Sequence, residues 1–586
     1  MSPSPLPPDS PVEWREDGLP RSRLYGDVYF SSEDGLAETR AVFLEGCGLP
    51  GAWAGRRRFV VGELGFGSGL NIAALLDLWR RERPAGGQLH IFSLEAHPMA
   101  REDAARALGC WPELAEAAGA LLAAWPGRAR GVHRVELPAF GAVLDLAVMD
   151  AAEALASWTG QADAWFLDGF APATNPAMWS EDILQRVAAR SAPGARAATF
   201  TVAGAVRRGL AAAGFEVEKR PGFGRKRERL EARLPGAGVD EASPGRVAVV
   251  GAGIGGAAMV RALSAVGLEA ICLDPRGRGG GASGNAAALM TPRLDAGDGP
   301  AAPLYAQAFG RAVRLYEDLP DAIIARGARH LGKGPRDPER FARIAEGGLF
   351  EPGALAAEEG SLVISEALVL DPAVLLRTWI GDVEPHAVTG LQRDGAGWRL
   401  ELDGGAGERL VDVVVICAGH RTGDLVPEPP LRPVRGQVSL AEGVDPGEAT
   451  SFGGYVIPTR DGLLFGATHQ RDRTDEAAFG EDHDLNRRTL AEGRPDLALA
   501  IEGRTLEGRA AVRASTPDHL PIAGAVDGQP GLFVLGGFGG RGFCLAPLLA
   551  EHVAALVGGC PSPLPATLAE TVDPGRFARR AARRAR

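Results

Sequence analysis

Residues 58–71 read RFVVGELGFGSGLN and residues 246–256 read RVAVVGAGIGG. In each, an apolar run of strand length breaks into closely spaced glycines. A helix-periodic pattern follows, IAALLDLWRRER after the first and AAMVRALSAVG after the second. A buried strand that turns through glycine into a helix opens a doubly wound α/β domain. A chain of 586 residues is too long for one hydrophobic core. Two such openings therefore predict two α/β domains in tandem.

The stretch LPGAGVDEASPG, residues 234–245, is polar, rich in glycine and proline, and without periodicity. It reads as a linker. The expected organisation is a loose proline-rich N-terminus at 1–13, a first domain at 14–233, the linker, a second domain at 246–570, and a basic tail at 571–586. No repeat of 20–50 residues interrupts this plan. A formal net charge of −11 excludes a uniformly basic nucleic-acid coat but not local patches. The six cysteines show no C-x-x-C spacing, so no metal site is expected, and isolated thiols suit a reducing compartment. The N-terminus lacks the features of a secretory signal, and no apolar stretch is long enough for a membrane helix. A cytoplasmic protein without membrane attachment is the expectation.

In the first domain Glu63, Gly65, Gly67 and Gly69 form E-x-G-x-G-x-G, with Asn71 opening the helix. Glycines let backbone approach a ligand closely. No Lys-Ser/Thr follows, which argues against a phosphate-binding P-loop. An acid at the loop's start suits a cationic, phosphate-free cofactor, S-adenosylmethionine (SAM). The next apolar runs end at Glu95, Asp150 and Asp168. Glu95 is placed to accept from ribose hydroxyls and Asp150 from an adenine amino group; alternatively both cap the helices that follow. Asp168-Gly-Phe-Ala-Pro resembles, in altered form, the Asp/Asn-Pro-Pro-aromatic loop of amine methyltransferases. Asp168 would then orient an amine and take its proton, and Phe170 would stack on a flat base or pack in the core.

In the second domain Gly251, Gly253 and Gly256 form G-x-G-x-x-G, and Asp274 ends the next strand, close to the spacing expected of a ribose-binding acid. Pyrophosphate would sit on the helix N-terminus. This fingerprint does not separate FAD from NAD. The small-residue loop 280–292, with Ser283, Gly284 and Asn285, a late strand in VDVVVICAGH, and a final glycine turn (Gly537, Gly539, Gly540, Gly542) before a helix favour FAD. That helix N-terminus would stabilise negative charge on a reduced flavin. Arg541, within the turn, is open to contact with flavin or with a nucleic acid. These landmarks resemble the D-amino-acid oxidase and glycine oxidase superfamily.

A narrower resemblance covers most of the chain. DVYFSSEDGLAETRAVFLEG, ELGFGSGLN, DAWFLDGFAPATNPAMW and AGFEVEKRPGFGRKRERL are similar to the methyltransferase half of the bifunctional tRNA 5-methylaminomethyl-2-thiouridine biosynthesis family. GASGN, RPVRGQVS, STPDHLPIAG and GGRGFCLAPLLAE are similar to its oxidoreductase half. The resemblance implies a Rossmann-like SAM methyltransferase domain, then a glutathione-reductase/D-amino-acid-oxidase-type FAD domain with an α+β substrate subdomain. It implies removal of carboxymethyl from a modified wobble uridine in tRNA, followed by N-methylation of the exposed amine. It also implies tRNA contact by the basic run 219–229, centred on Arg225, Lys226 and Arg227. A substrate carboxylate calls for a bidentate donor, so Arg is preferred to Lys. Arg513 resembles the carboxylate-binding Arg of glycine-oxidase-like enzymes, with Tyr455 as a second donor; an internal salt bridge is the alternative for Arg513. Ala286 and Ala287 replace polar residues common in the family, which leaves backbone contacts there. The competing function is a fused small-molecule amino-acid oxidase and N-methyltransferase.

Overall fold

A computed structural model describes residues 10–224, 226–237, 245–297 and 299–584. The chain forms two compact units: 1–242 with 560–566, and 243–559 with 567–586. Parts of the expected N-terminus and linker, Arg225, and the last two residues of the basic tail lie outside the described residues.

The first unit holds an eight-stranded sheet among its described residues. Its strands are β1 (Arg58–Leu64), β2 (Gln88–Leu94), β3 (Gly131–Leu137), β4 (Ala142–Val148), β5 (Ala162–Leu167), β6 (Ser191–Thr199), β7 (Glu216–Pro221) and β8 (Glu228–Arg233), in the order β3-β4-β2-β1-β5-β6-β8-β7. The inner strands β4, β2, β1, β5 and β6 run parallel. They are buried on both faces, which is why they read as near-continuous apolar runs. Phe59, Val61, Ile91 and Leu144 enter one core with Trp53 and Trp79; Val60, Leu64, Phe92 and Leu94 enter another with Trp158 and Trp165. Antiparallel β3, and the β7–β8 hairpin, close the two edges. The expected first strands end where the acids begin: Glu95, Asp150 and Asp168 fall one or two residues beyond β2, β4 and β5.

The segment Cys560–Ala566, expected within the second domain, clusters with the first unit. Arg134 shows why: its guanidinium makes a buried fork with Asp145 at 2.8 and 2.6 Å and donates to Pro561 O at 3.0 Å.

The second unit has a five-stranded sheet ordered Ala270–Leu273, Val247–Val250, Val413–Ile416, Leu532–Gly536, Ile522–Ala525. All but the last pairing are parallel. A larger mixed sheet, which includes Ser361–Leu370, Ile323–Leu331 and Arg432–Glu442, forms a second layer of α+β character. The long helix Gly542–Gly558 packs under both, with most of its side chains buried. No helix among the described residues is long and apolar enough to cross a membrane.

Asp145→Ala should remove the carboxylate that forks with the buried Arg134 guanidinium, at a cost of about 3–5 kcal/mol. Urea unfolding followed by tryptophan fluorescence, which reports mainly the first unit, should shift to lower denaturant. An unchanged midpoint would refute this.

Candidate active sites

Past β1 the chain turns through Gly65, Gly67 and Gly69 at φ of 81°, 54° and 77°, a region costly for residues with a β-carbon. A Cβ on Gly65 would stand 3.2 Å from Gly169 Cα, so this turn lies backbone to backbone against the loop after β5. Glu63 is fully buried. Its Oε2 accepts from Ser93 Oγ at 2.5 Å, while Oε1 has no partner. Burial pushes this carboxyl well above the usual carboxylate range. Glu95 accepts from Gly67 N at 3.2 Å and His97 N at 2.9 Å; it caps no helix, since the next begins at Arg101 after Ala100. Asp150 does cap Ala151–Ser157, accepting from Ala152 N at 2.8 Å, and stays exposed. The glycine cradle, with Glu95 at the end of the neighbouring strand and Asp150 exposed beyond it, fits a cationic nucleoside cofactor.

Asp168 lies half-exposed just beyond β5. Its Oδ2 accepts from Asn71 Nδ2 at 2.7 Å, and Asn71 Oδ1 accepts from Thr39 Oγ1 at 2.8 Å. Asn71, expected at the cofactor, thus directs its carbonyl and one amide hydrogen to protein groups. Burial raises the Asp168 carboxyl to about 6; the Asn71 and Gly169 donors oppose that shift. Phe170 is half-buried, with ring centroids 4.9 Å from Tyr25 and, edge-on, 5.3 Å from Tyr29. Burial pushes the Tyr25 hydroxyl up, and the charges of Glu95 and Asp150 add to that shift. Asp27 holds this segment to the Asp168 loop by accepting from Ala171 N at 3.0 Å. Sequence reasoning missed Tyr25 and Tyr29, which sit in an aperiodic loop with no local pattern.

The basic run behaves differently from its expectation. Lys219 pairs with Glu228, Arg220 with Glu218, and Arg229 with Glu231. Lys226 pairs with Glu38 at 2.7 Å and lies 4.2 Å over the Phe200 ring. Arg227 is exposed and, among the described residues, pairs with no carboxylate.

In the second unit a cavity of about 900 Å³ runs past the Gly251 turn, Asp274, Ser283, Tyr455, Arg513 and the Gly537–Gly542 turn. Gly251, at φ 112°, would bring a Cβ to 2.5 Å from Cys417 O; on Gly256 it would meet Gly251 O at 1.8 Å. Asp274 accepts from Ala252 N and Arg276 N, both at 2.8 Å. Ser283 Oγ accepts from Ile254 N at 3.0 Å, so its hydroxyl braces the helix start. Gly284 lies against Gly279 O. Asn285 Oδ1 accepts from Arg509 Nη1 at 2.8 Å, and Arg509 also donates to Gly281 O at 2.6 Å. Arg509, which sequence reasoning passed over, pins this loop. The cradle of glycines, the acid and the cavity's volume fit a flavin dinucleotide. Gly537 and Gly539 turn at φ 66° and 56°, and Gly540 and Gly542 lead into the helix Gly542–Gly558.

Arg513 donates to Thr468 O at 3.2 Å and, among the described residues, pairs with no carboxylate, unlike the salt-bridge alternative. Its guanidinium crosses the strand at Gly436, where a Cβ would stand 1.7 Å from Nη2. That glycine sits in RPVRGQVS, and its role was not legible beforehand. Burial pushes the Tyr455 hydroxyl up, and Arg513 pulls it back. Arg541 is held on Thr291, donating to its carbonyl at 3.0 Å and to its hydroxyl. Cys544 is buried, its thiol pushed up to about 12, so it is no thiolate.

A family model described as S-adenosyl-L-methionine-dependent methyltransferase matches residues 112–235, and one described as FAD dependent oxidoreductase matches 246–556. The chain is 60% identical over 600 residues to the tRNA 5-methylaminomethyl-2-thiouridine biosynthesis bifunctional protein MnmC of Caulobacter sp. (strain K31), covering 98% of this chain and 99% of that one. It is 46% identical over 582 residues to the protein of the same name from Maricaulis maris (strain MCS10), covering 98% and 97%. Among solved structures, glycine oxidase from Geobacillus kaustophilus is similar at 25% identity with a TM-score of 0.46, covering 55% of this chain and 96% of that one.

Gly256→Ala overpacks the turn against Gly251 O, at about 1–3 kcal/mol, or roughly a 5- to 150-fold loss of flavin affinity where the bound form bears that cost. The purified variant should be pale while still binding SAM by calorimetry. Full flavin content would contradict the close packing.

Proposed function

The chain belongs to the family of bifunctional tRNA 5-methylaminomethyl-2-thiouridine biosynthesis proteins, and on that premise we propose how its residues divide the work. It is a two-activity enzyme of tRNA wobble-uridine modification. The second unit, an FAD-dependent oxidoreductase, removes carboxymethyl from 5-carboxymethylaminomethyl-2-thiouridine. The first, a SAM-dependent methyltransferase, then methylates the exposed amine. Identity that spans both units carries this reading over a fused small-molecule oxidase and methyltransferase, since one family accounts for the whole chain.

Bound flavin supplies an acceptor for two electrons. In our reading Arg513 holds the substrate carboxylate as a fork, with the Tyr455 hydroxyl as a further donor. This fixes the carbon between amine and carboxylate for loss of hydride. The secondary amine loses a proton, and water cleaves the resulting C=N bond to give the primary amine and a two-carbon oxoacid. Asp274 and the glycine turns at 251–256 and 537–542 hold the dinucleotide, and the Gly542 helix start faces negative charge on the ring.

SAM supplies the activated methyl group. Glu63, Glu95 and Asp150 surround its cationic and ribosyl parts in this reading. As the N–CH3 bond forms and the S–CH3 bond breaks, the nitrogen must shed a proton. Asp168 accepts it, and Phe170 with Tyr25 offers a flat aromatic surface for the base. Arg227, with Arg225 outside the described residues, is offered for phosphate contact; Lys226, paired to Glu38, is a weaker candidate. The free cysteines and the tRNA substrate suit the cytoplasm.

Asp168 serves as base only when ionised, so methylation at saturating substrates should rise with pH through about 6. Asp168→Asn should lower kcat by about 10²–10⁴-fold and accumulate the aminomethyl nucleoside in tRNA mass spectrometry. A wild-type rate and pH profile would remove Asp168 from the chemistry. Arg513→Ala should accumulate the carboxymethyl form, with kcat/KM down by about two orders of magnitude and the protein still yellow. Unchanged turnover would dismiss the clamp.

A further inference from the structure

Asp168 is reached by a buried relay that starts outside the nucleotide-binding motif. Thr39 is 2% and Asn71 7% exposed, so water does not replace their partners. Thr39 Oγ1 donates to Asn71 Oδ1 at 2.8 Å, and Asn71 Nδ2 donates to Asp168 Oδ2 at 2.7 Å. Thr39 closes the helix Gly35–Thr39, and Asn71 lies in the first turn of Leu70–Glu82. Two helices with no shared motif thus converge on one carboxylate.

We propose that Thr39 is a positioning residue for methyl transfer, fixing through Asn71 the donor that meets Asp168. An asparagine amide has a donor end and an acceptor end, and only the donor end suits an ionised carboxylate. A hydroxyl that donates to Oδ1 secures that orientation. It also polarises the amide, so that its N–H becomes a stronger donor. Without it, Oδ1 is a buried acceptor with no donor, and the flipped amide would set oxygen against oxygen unless Asp168 holds its proton.

Other charged groups bear on Asp168. Glu38, from the helix that carries Thr39, raises its affinity for a proton, and Lys226, from the hairpin loop, lowers it. These two are paired with each other at 2.7 Å, so their effects offset in part. Glu63, from β1, is itself held toward its neutral form by burial. Asn71 is the side chain that hydrogen-bonds the Asp168 carboxylate directly, beside the Gly169 N–H, and Asn71 also reaches Glu63, so the orientation of its amide is where Thr39 acts.

This inference rests on the reading of Asp168 as the proton acceptor. The test is the pH profile of methylation by full-length Thr39→Val, with SAM affinity from calorimetry as the check on folding. The apparent pKa should rise from that of the wild type, with kcat near pH 6 down by about fivefold for a one-unit rise and restored at higher pH. KM for tRNA and SAM affinity should hold, and Thr39→Ser should return the wild-type profile. An unmoved profile, or a loss equal at every pH, would overturn the relay. If the valine variant does not bind SAM, Thr39→Ala is read by the same criteria. Asp168→Asn separates the two ideas: if it is inactive while the Thr39 variants are normal, only the relay fails. If it methylates with the wild-type profile, the proton-acceptor reading fails and the relay with it.

Discussion

Both clefts depend on main chain passing main chain at the carboxyl edge of a parallel sheet, at distances that leave no room for a β-carbon. Gly65 lies against Gly169, Gly251 against Cys417, and Gly256 against Gly251 itself. The same turns do a second job. Gly67 N–H reaches Glu95 in the first unit, and Ala252 N–H reaches Asp274 in the second. In each case an amide of the glycine turn holds the acid at the end of the neighbouring strand. The carboxylates are therefore oriented before a nucleotide arrives, which lowers the ordering cost of binding. A side chain in either turn would disturb both the close approach and the acid beyond it.

This local logic explains why the sequence was legible where it was. A parallel strand covered on both faces is an apolar run, its turn is glycine, and its functional acid follows within a residue or two. Strand and glycine turn lie within about a dozen residues at 58–71 and 246–256, and Glu95 and Asp274 end the next strand, so both openings could be read directly. Thr39, Tyr25, Arg509 and Gly436 left no such trace. Each acts across a large sequence separation: Arg509 on Gly281 and Asn285, Gly436 beneath Arg513, Thr39 on Asn71. The pairings within the basic run were hidden for a related reason. Lys226 has its carboxylate on Glu38, 188 residues away, and Lys219 meets Glu228 only once β7 and β8 pair. Asp150 carried two readings, and its cap on Ala152 uses one oxygen, so the fold satisfies the capping role without closing the other.

The acids at the first cleft share a chemistry but not an environment. Glu63 is sealed in the sheet with one oxygen unpartnered and is driven toward its neutral form. Asp150 faces water. Asp168 stands between them, half-exposed, raised to about 6 by burial against the pull of two donors. An ordinary aspartate is a poor proton acceptor, and one raised too far would already hold its proton at neutral pH. A carboxyl near 6 remains ionised there while being more basic than a surface aspartate, the compromise a general base requires.

In the second unit the informative feature is a set of cations without anions. Buried arginines elsewhere in the chain face carboxylates: Arg134 meets Asp145, Arg311 meets Glu551, Arg435 meets Asp482, and Arg576 meets Asp518. That is the expected arrangement, because a buried guanidinium is costly unless an opposite charge compensates it. Arg513 and Arg541 break the pattern. Both line the cavity, both donate to neutral oxygens of Thr468 and Thr291, and neither pairs with a carboxylate among the described residues. Arg509 likewise meets only neutral oxygens, of Asn285 and Gly281, but those contacts pin a loop, whereas Arg513 and Arg541 face the cavity, where an anion from outside could complete the pair. One needs a partner where an amino-acid-like substrate would present its carboxylate. The other sits at the turn before the helix whose N-terminus favours negative charge. Substrate and reduced cofactor would then each complete a charge pair that the protein alone leaves open, so binding and electron transfer draw on the same electrostatic deficit.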